Sequence, residues 1–126
     1  MATSVLIVDD HSTFRATARL LLESEGFRVL GEAENGRTAI EKAAVPSPDL
    51  VLLDVQLPDI DGFQVSRRVT EVDGAPAVIL VSSRDVADYG PLVAASGACG
   101  FVTKAELSGE RLKELLAGNA GEGQVT

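Results

Sequence analysis

The chain is short of the residues that mark exported, membrane-bound or disulfide-stapled proteins. It has a single cysteine, Cys99, so no internal disulfide can form, and that usage fits a reducing cytoplasm. Cys99 itself reads as a small apolar residue near the core. No apolar run approaches the roughly 20 residues needed to cross a bilayer. The opening stretch MATSVLIVDD meets two acids almost at once, which is not the pattern of a signal peptide. Basic residues are scarce: 11 Lys and Arg stand against 19 Asp and Glu, a net charge of −8. A general nucleic-acid or membrane-binding surface needs clustered Lys and Arg, so that balance argues against both. Repeats and low-complexity segments are missing as well.

What is present is an ordinary globular mix, 45% hydrophobic and 24% charged over 126 residues. That is one domain, long enough to bury a core without staples. Its organising stretch is LVLLDVQLPDIDGF, residues 50 to 63. Leu50 to Leu53 run without alternation into Asp54, as in a strand buried on both faces of a parallel sheet. The following loop holds Pro58, with its fixed φ, and Gly62, which tolerates backbone shapes other residues resist. Asp54 is thus expected at the carboxyl end of a central strand, where open α/β sheets place their chemistry.

Around it the chain alternates strand and helix patterns. Val5 to Val8 form an apolar run that ends in Asp9-Asp10. Ser12 to Glu25 read as a helix with Phe14, Ala18, Leu21 and Leu22 on one face, Ser12 as N-cap and Gly26 as C′ residue. Phe27 to Gly31 form a second strand, and Asn35-Gly36 turns into a helix over 37–44 with Ala39, Ile40, Ala43 and Ala44 inward. Pro46 and Pro48 stop that helix. A helix over 63–72 buries Phe63, Val65 or Ser66, and Val69, and a strand over 77–81 ends at Ser82-Ser83. The next helix is short, from near Pro91 to Ser96. Gly100 to Thr103 are the fifth strand, closed by Lys104. Ser108 caps a last helix with Leu112, Leu115 and Leu116 facing the sheet. Residues 1–117 form the domain, and 118–126, GNAGEGQVT, read as a frayed tail or linker stub. Five alternating units imply a parallel sheet with helices on both faces and right-handed crossovers.

Asp9, Asp10, Asp54, Ser82 and Lys104 would then meet at one rim. Each has a duller reading: an acid pair can cap a helix, a serine can satisfy backbone, and a lysine can be a solvated charge. His11, the sole histidine, reads more simply as a partly exposed loop residue than as a metal ligand. One site explains the others together. Carboxylates about 4 Å apart repel by roughly 4 kcal/mol at an effective dielectric near 20, so the cluster should raise its own pKa values or hold a cation. Oxygen donors without clustered histidine or cysteine favour a hard ion, and Mg²⁺ suits one or two carboxylates, water and a phosphate oxygen. A lysine and a hydroxyl suit a phosphoryl group, which an aspartate can accept as nucleophile.

These residues sit in four motifs: LIVDD (6 to 10), LLDVQLPDIDG (52 to 62), VILVSS (78 to 83) and GFVTK (100 to 104). In this order and spacing the chain resembles, over about residues 4 to 117, the response-regulator receiver domains of two-component signalling. The resemblance implies a doubly wound, three-layer α/β fold with flavodoxin-like strand order 2-1-3-4-5. It implies Asp54 as phosphoacceptor, Mg²⁺ held by Asp10 directly, Asp9 through water and the Gln56 backbone carbonyl, and Lys104 on the phosphoryl oxygens. Ser82 would be the switch hydroxyl, with Ser83 as runner-up, and Phe101 the switch aromatic. Gln56 and Arg84 would flank the hydrolytic water and tune the phosphoryl lifetime. One departure is Ala105, where many members place a proline after a cis peptide. A cis bond before alanine costs roughly 2.5–4 kcal/mol, so that loop's geometry does not carry over.

The expected partners are a histidine kinase or phosphotransfer protein and an output domain or effector, with a phosphorylation-dependent homodimer as a further option. GEAENG (31 to 36) and KAEL (104 to 107) resemble receivers of the NarL/FixJ type, which precede a helix-turn-helix DNA-binding domain; the chain would be such a receiver or one that acts alone. Two other functions compete. A Mg²⁺-dependent phosphohydrolase also starts from a strand-end aspartate, but it needs a second acid where Gln56 stands and a cap for which 126 residues leave no room. A degenerate receiver acting only as a binding module would not need the intact acids and lysine.

Overall fold

The computed structural model describes residues 2–44, 47–84 and 89–125. Strands β1 (Ser4–Val8), β2 (Arg28–Ala33), β3 (Leu50–Asp54), β4 (Ala77–Ser82) and β5 (Gly100–Thr103) form one parallel sheet in the order β2-β1-β3-β4-β5. Between and after them run α1 (Ser12–Ser24), α2 (Gly36–Ala44), α3 (Gly62–Thr70), α4 (Leu92–Ala95) and α5 (Gly109–Val125).

The unbroken apolar runs of β1 and β3 follow from burial on both faces. Val5, Ile7, Leu50, Leu52, Ile79 and Val81 point to one side, where Ala18 and Leu22 of α1 and Leu112 of α5 complete a core. Leu6, Val8, Val51, Leu53, Val78 and Leu80 point to the other, against Ala39 and Ala43 of α2 and Phe63, Val65 and Val69 of α3. Val8 pairs with Leu53, Asp54 with Val81, and Ser82 with Thr103. The strands therefore finish nearly level, and whatever follows them lines one edge.

Several local expectations change. α1 is capped by His11, which makes no side-chain cap bond, and not by Ser12. Instead the His11 N–H donates to Asp9 Oδ1 at 2.7 Å. Gly26 does take the left-handed conformation, at φ 93°. β2 runs two residues past Gly31, because its pairing with β1 continues to Ala33 across an irregularity between Val5 and Leu6. Ala44 is exposed, since α2 ends there and turns it off the buried face. Pro46 lies outside the described residues. Both Val65 and Ser66 are buried in α3. α4 is a single turn, with Gly90 (φ 51°) before it and Gly97 (φ 81°) behind. α5 continues to Val125 where the composition suggested a loose tail from residue 118; no proline interrupts the backbone ladder there.

Candidate functional site

The carboxyl edge gathers the acids and the lysine into one pocket. Asp9 is fully buried and Asp54 is 4% exposed. Lys104 follows β5 in a short 3-10 helix, Lys104–Glu106, whose first turn is held by Thr103 accepting the Glu106 N–H at 3.3 Å. That turn is how the chain leaves the strand where a proline is common. Lys104 Nζ stands 2.7 Å from Asp9 Oδ2 and 3.8 Å from Asp54 Oδ2. Its ammonium also lies 4.5 Å from the centre of the Phe14 ring, which favours the charge there. Burial, and then the negative charge of Asp9, push the Asp54 carboxyl up to about 7; Lys104 and the Gln56 N–H pull the other way. Gln56 donates its backbone N–H to Asp54 Oδ1 at 3.3 Å.

Asp10 points outward, its side chain 37% exposed, and joins the pocket through His11. His11 Nδ1 is 3.0 Å from Asp9 Oδ1 and 3.1 Å from Asp10 Oδ1. The side chain is exposed, as a loop histidine should be, yet it is a member of the cluster: ligand atoms of Asp9, Asp10, His11 and Asp54 all lie within 4.8 Å of one another. The pocket fits a divalent cation. Asp9 Oδ2 is buried without an aligned hydrogen-bond donor, although the lysine's charge is beside it, and three carboxylates cluster where one ammonium reaches two of them. Hard oxygen donors dominate the set.

Two supports carry no pattern in the sequence and were not foreseen. Arg15 Nη1 donates to the Asp9 carbonyl at 2.7 Å while its Nε bonds Glu32 Oε1 at 3.0 Å. Arg19 Nη1 meets Glu32 Oε2 at 2.7 Å, and the Arg19 and Arg15 bonds hold the Glu32 carboxyl below its ordinary range. The turn carrying Asp9 is thus tied to β2. Tyr89 is the second. Ser82, buried at 2% exposure, has its Oγ 2.9 Å from Tyr89 OH and accepts the Arg84 N–H at 3.1 Å. The Tyr89 ring packs edge-on against Phe63 at 5.4 Å and tilted against Phe101 at 5.8 Å. Ser82 and Phe101 therefore form a second group, joined through Tyr89, beside the acid pocket. Ser83 is exposed. The only available signal for Tyr89 was its standing as the sole tyrosine, a half-buried ring just before a weak helix.

In the loop after Asp54 the reason for Gly62 differs from the expected one. Gly62 does not have positive φ; it is needed because a Cβ there would strike the Asp54 backbone oxygen and come within 2.8 Å of Val55 Cα. Its N–H donates to the Val55 carbonyl at 2.7 Å. Asp59 reaches from this loop to α2, accepting the Gly36 and Arg37 N–H groups at 2.8 and 3.0 Å. Asp61 caps α3 by accepting the Gln64 N–H at 2.9 Å.

Comparison with known proteins agrees with this arrangement. A Pseudomonas aeruginosa protein assigned to transcriptional regulation is 41% identical over 119 residues, 92% of this chain and 58% of that protein. The DNA-binding transcriptional activator EvgA of Escherichia coli is 33% identical over 103 residues, 82% of this chain and 50% of its own length. The chain thus spans between half and three fifths of the length of these relatives. Among solved structures, a two-component response regulator of the LuxR family from Aurantimonas superposes with a TM-score of 0.81 at 27% identity, covering 96% of this chain and 87% of that one. Residues 5–117 match the family model of the response regulator receiver domain, and the chain belongs to that family.

Proposed function

We propose that this receiver is a phosphorylation switch in which Asp54 takes a phosphoryl group from a histidine kinase or phosphotransfer protein in a Mg²⁺-dependent reaction. The observation that carries the reading is the pocket itself: a nearly buried strand-end carboxylate 3.8 Å from a lysine ammonium and beside two further acids. A carboxylate oxygen of Asp54 attacks phosphorus, the P–N bond to the donor imidazole breaks, and that nitrogen keeps the electron pair. Lys104 offsets charge on the phosphoryl oxygens. Receiver domains hold Mg²⁺ at an acidic cluster; here Asp9, Asp10, Asp54 and the Gln56 carbonyl would hold it, and the ion supplies charge neutralisation when bound.

The product carries about −1.5 to −2 charge. Ser82 must leave Tyr89 to donate to it, and Phe101 then repacks beside the vacated position. The surface formed by α4, β5 and α5 changes, and an effector that binds one form better reads the state. The relatives' names and the chain's share of their length favour transcriptional output through a DNA-binding domain, with a phosphorylation-dependent homodimer as the assembly. A small phosphodonor with Mg²⁺ should add one phosphate by intact mass. Labelling that persists in Asp54→Asn would reject the assignment.

A further inference from the structure

The acid pocket holds one donor that the magnesium reading does not use. His11 is fixed by its place as the residue before α1, with φ −93° and ψ 110°, and by its N–H bond to Asp9 Oδ1. That backbone setting directs the imidazole to the two acids, with Nδ1 3.0 Å from one carboxylate oxygen and 3.1 Å from the other. Donors placed about 2.1–2.2 Å from a common centre and at right angles stand roughly 3.0–3.1 Å apart. The two separations, which are also hydrogen-bond and ion-pair distances, match the cis edges of an octahedron. Its trans donors would stand about 4.2–4.4 Å apart on the same bond lengths, inside the 4.8 Å that encloses all four ligand atoms. Asp9, fully buried, already draws the Lys104 ammonium to 2.7 Å from its Oδ2, so the pocket wall favours positive charge. His11 and Asp10 form the exposed lip, where a hydrated ion arrives.

Imidazole nitrogen discriminates among cations. Mg²⁺ prefers oxygen and keeps its waters, whereas Mn²⁺, Co²⁺, Ni²⁺ and Zn²⁺ gain from a nitrogen ligand. We infer that His11 is a direct nitrogen ligand, making this pocket bind first-row transition-metal ions in preference to Mg²⁺. The inference rests on the proposed metal site at Asp54 and adds a selectivity to it.

His11 is the sole histidine of the chain, so an imidazole signature in untagged protein has one source. Titrate the whole chain with Co²⁺ and with Mg²⁺ by calorimetry, for wild type, His11→Ala and His11→Asn. In parallel, follow the imidazole nitrogen resonances of wild type by NMR as diamagnetic Zn²⁺ is added. The expected result is a Co²⁺-to-Mg²⁺ affinity ratio lowered about tenfold or more in both variants, and a Zn²⁺-induced shift of Nδ1. Equal losses for both ions, no loss for Co²⁺, or an unshifted Nδ1 would overturn the inference; the NMR arm needs no variant to fold. Asp54→Asn separates this from the parent reading. If it binds both ions like wild type, the site at Asp54 is rejected; if it weakens both while the His11 variants change nothing, only the role of His11 is.

Discussion

Replacing Asp54 with asparagine should stabilise the metal-free protein, and by more as pH rises. The native carboxyl titrates near 7, against 3.8 when free of its surroundings. Between those values the folded state keeps a proton that the unfolded chain has lost, so wild-type stability declines as pH rises through that window and levels above it. The full displacement corresponds to roughly 4 kcal/mol at about 1.36 kcal/mol per pH unit. Somewhat more than half falls between pH 5 and 8, and relaxation of the pocket reduces it further, to about 1–2 kcal/mol. For a domain of this size that is a widening of about 3–7 °C in melting temperature. The assay is thermal unfolding of both proteins with chelator at pH 5, 6, 7 and 8. Asparagine does not titrate, so the variant should lack the decline, and its advantage should grow along the series. Parallel profiles would refute the argument that burial and Asp9 hold the Asp54 proton.

Saturating Mg²⁺ at about 100 times its Kd should raise wild-type stability by roughly 2.7 kcal/mol, read as a melting shift that Asp54→Asn largely lacks. Arg15→Ala removes the donor to the Asp9 carbonyl and one arm of the Glu32 pair; a loss of about 1–3 kcal/mol in denaturant melts is expected, with weaker Mg²⁺ binding by calorimetry. Gly62→Ala sets a methyl against the Asp54 and Val55 backbone and should cost about 1–3 kcal/mol or more, with slower labelling by a small phosphodonor. Tyr89→Phe deletes the hydroxyl that holds Ser82; a stability loss near 1 kcal/mol should accompany a larger phosphorylated-state population of the moved Phe101 ring, followed by aromatic NMR.

The sequence made the strands and their polar ends plain because both depend on unbroken patterns. Leu50 to Asp54 is a buried run ending in a charge, and the structure levels that end with those of β1, β4 and β5. What stayed hidden depends on distances across the fold. Arg15 looks like any polar residue of an amphipathic helix, and only the position of β2 beside α1 reveals Glu32 as its partner. Tyr89 acquires meaning through Ser82, Phe63 and Phe101, which come from three other segments. Gly62 was recognisable as special, yet its reason is crowding rather than a dihedral. The helical course of α5 beyond residue 118 runs against a composition rich in glycine, which weighs on helix formation without forbidding it.

Asp59 and Asp61 start two different helices from one short span. α2 and α3 are thereby yoked to the segment that leaves Asp54, and neither can tilt without dragging the nucleophile's own connection. That flank acts as an anvil, and rearrangement has to be discharged toward α4, a single turn with no buried residue. A residue inserted between Asp59 and Asp61 would accordingly misalign two helices at once.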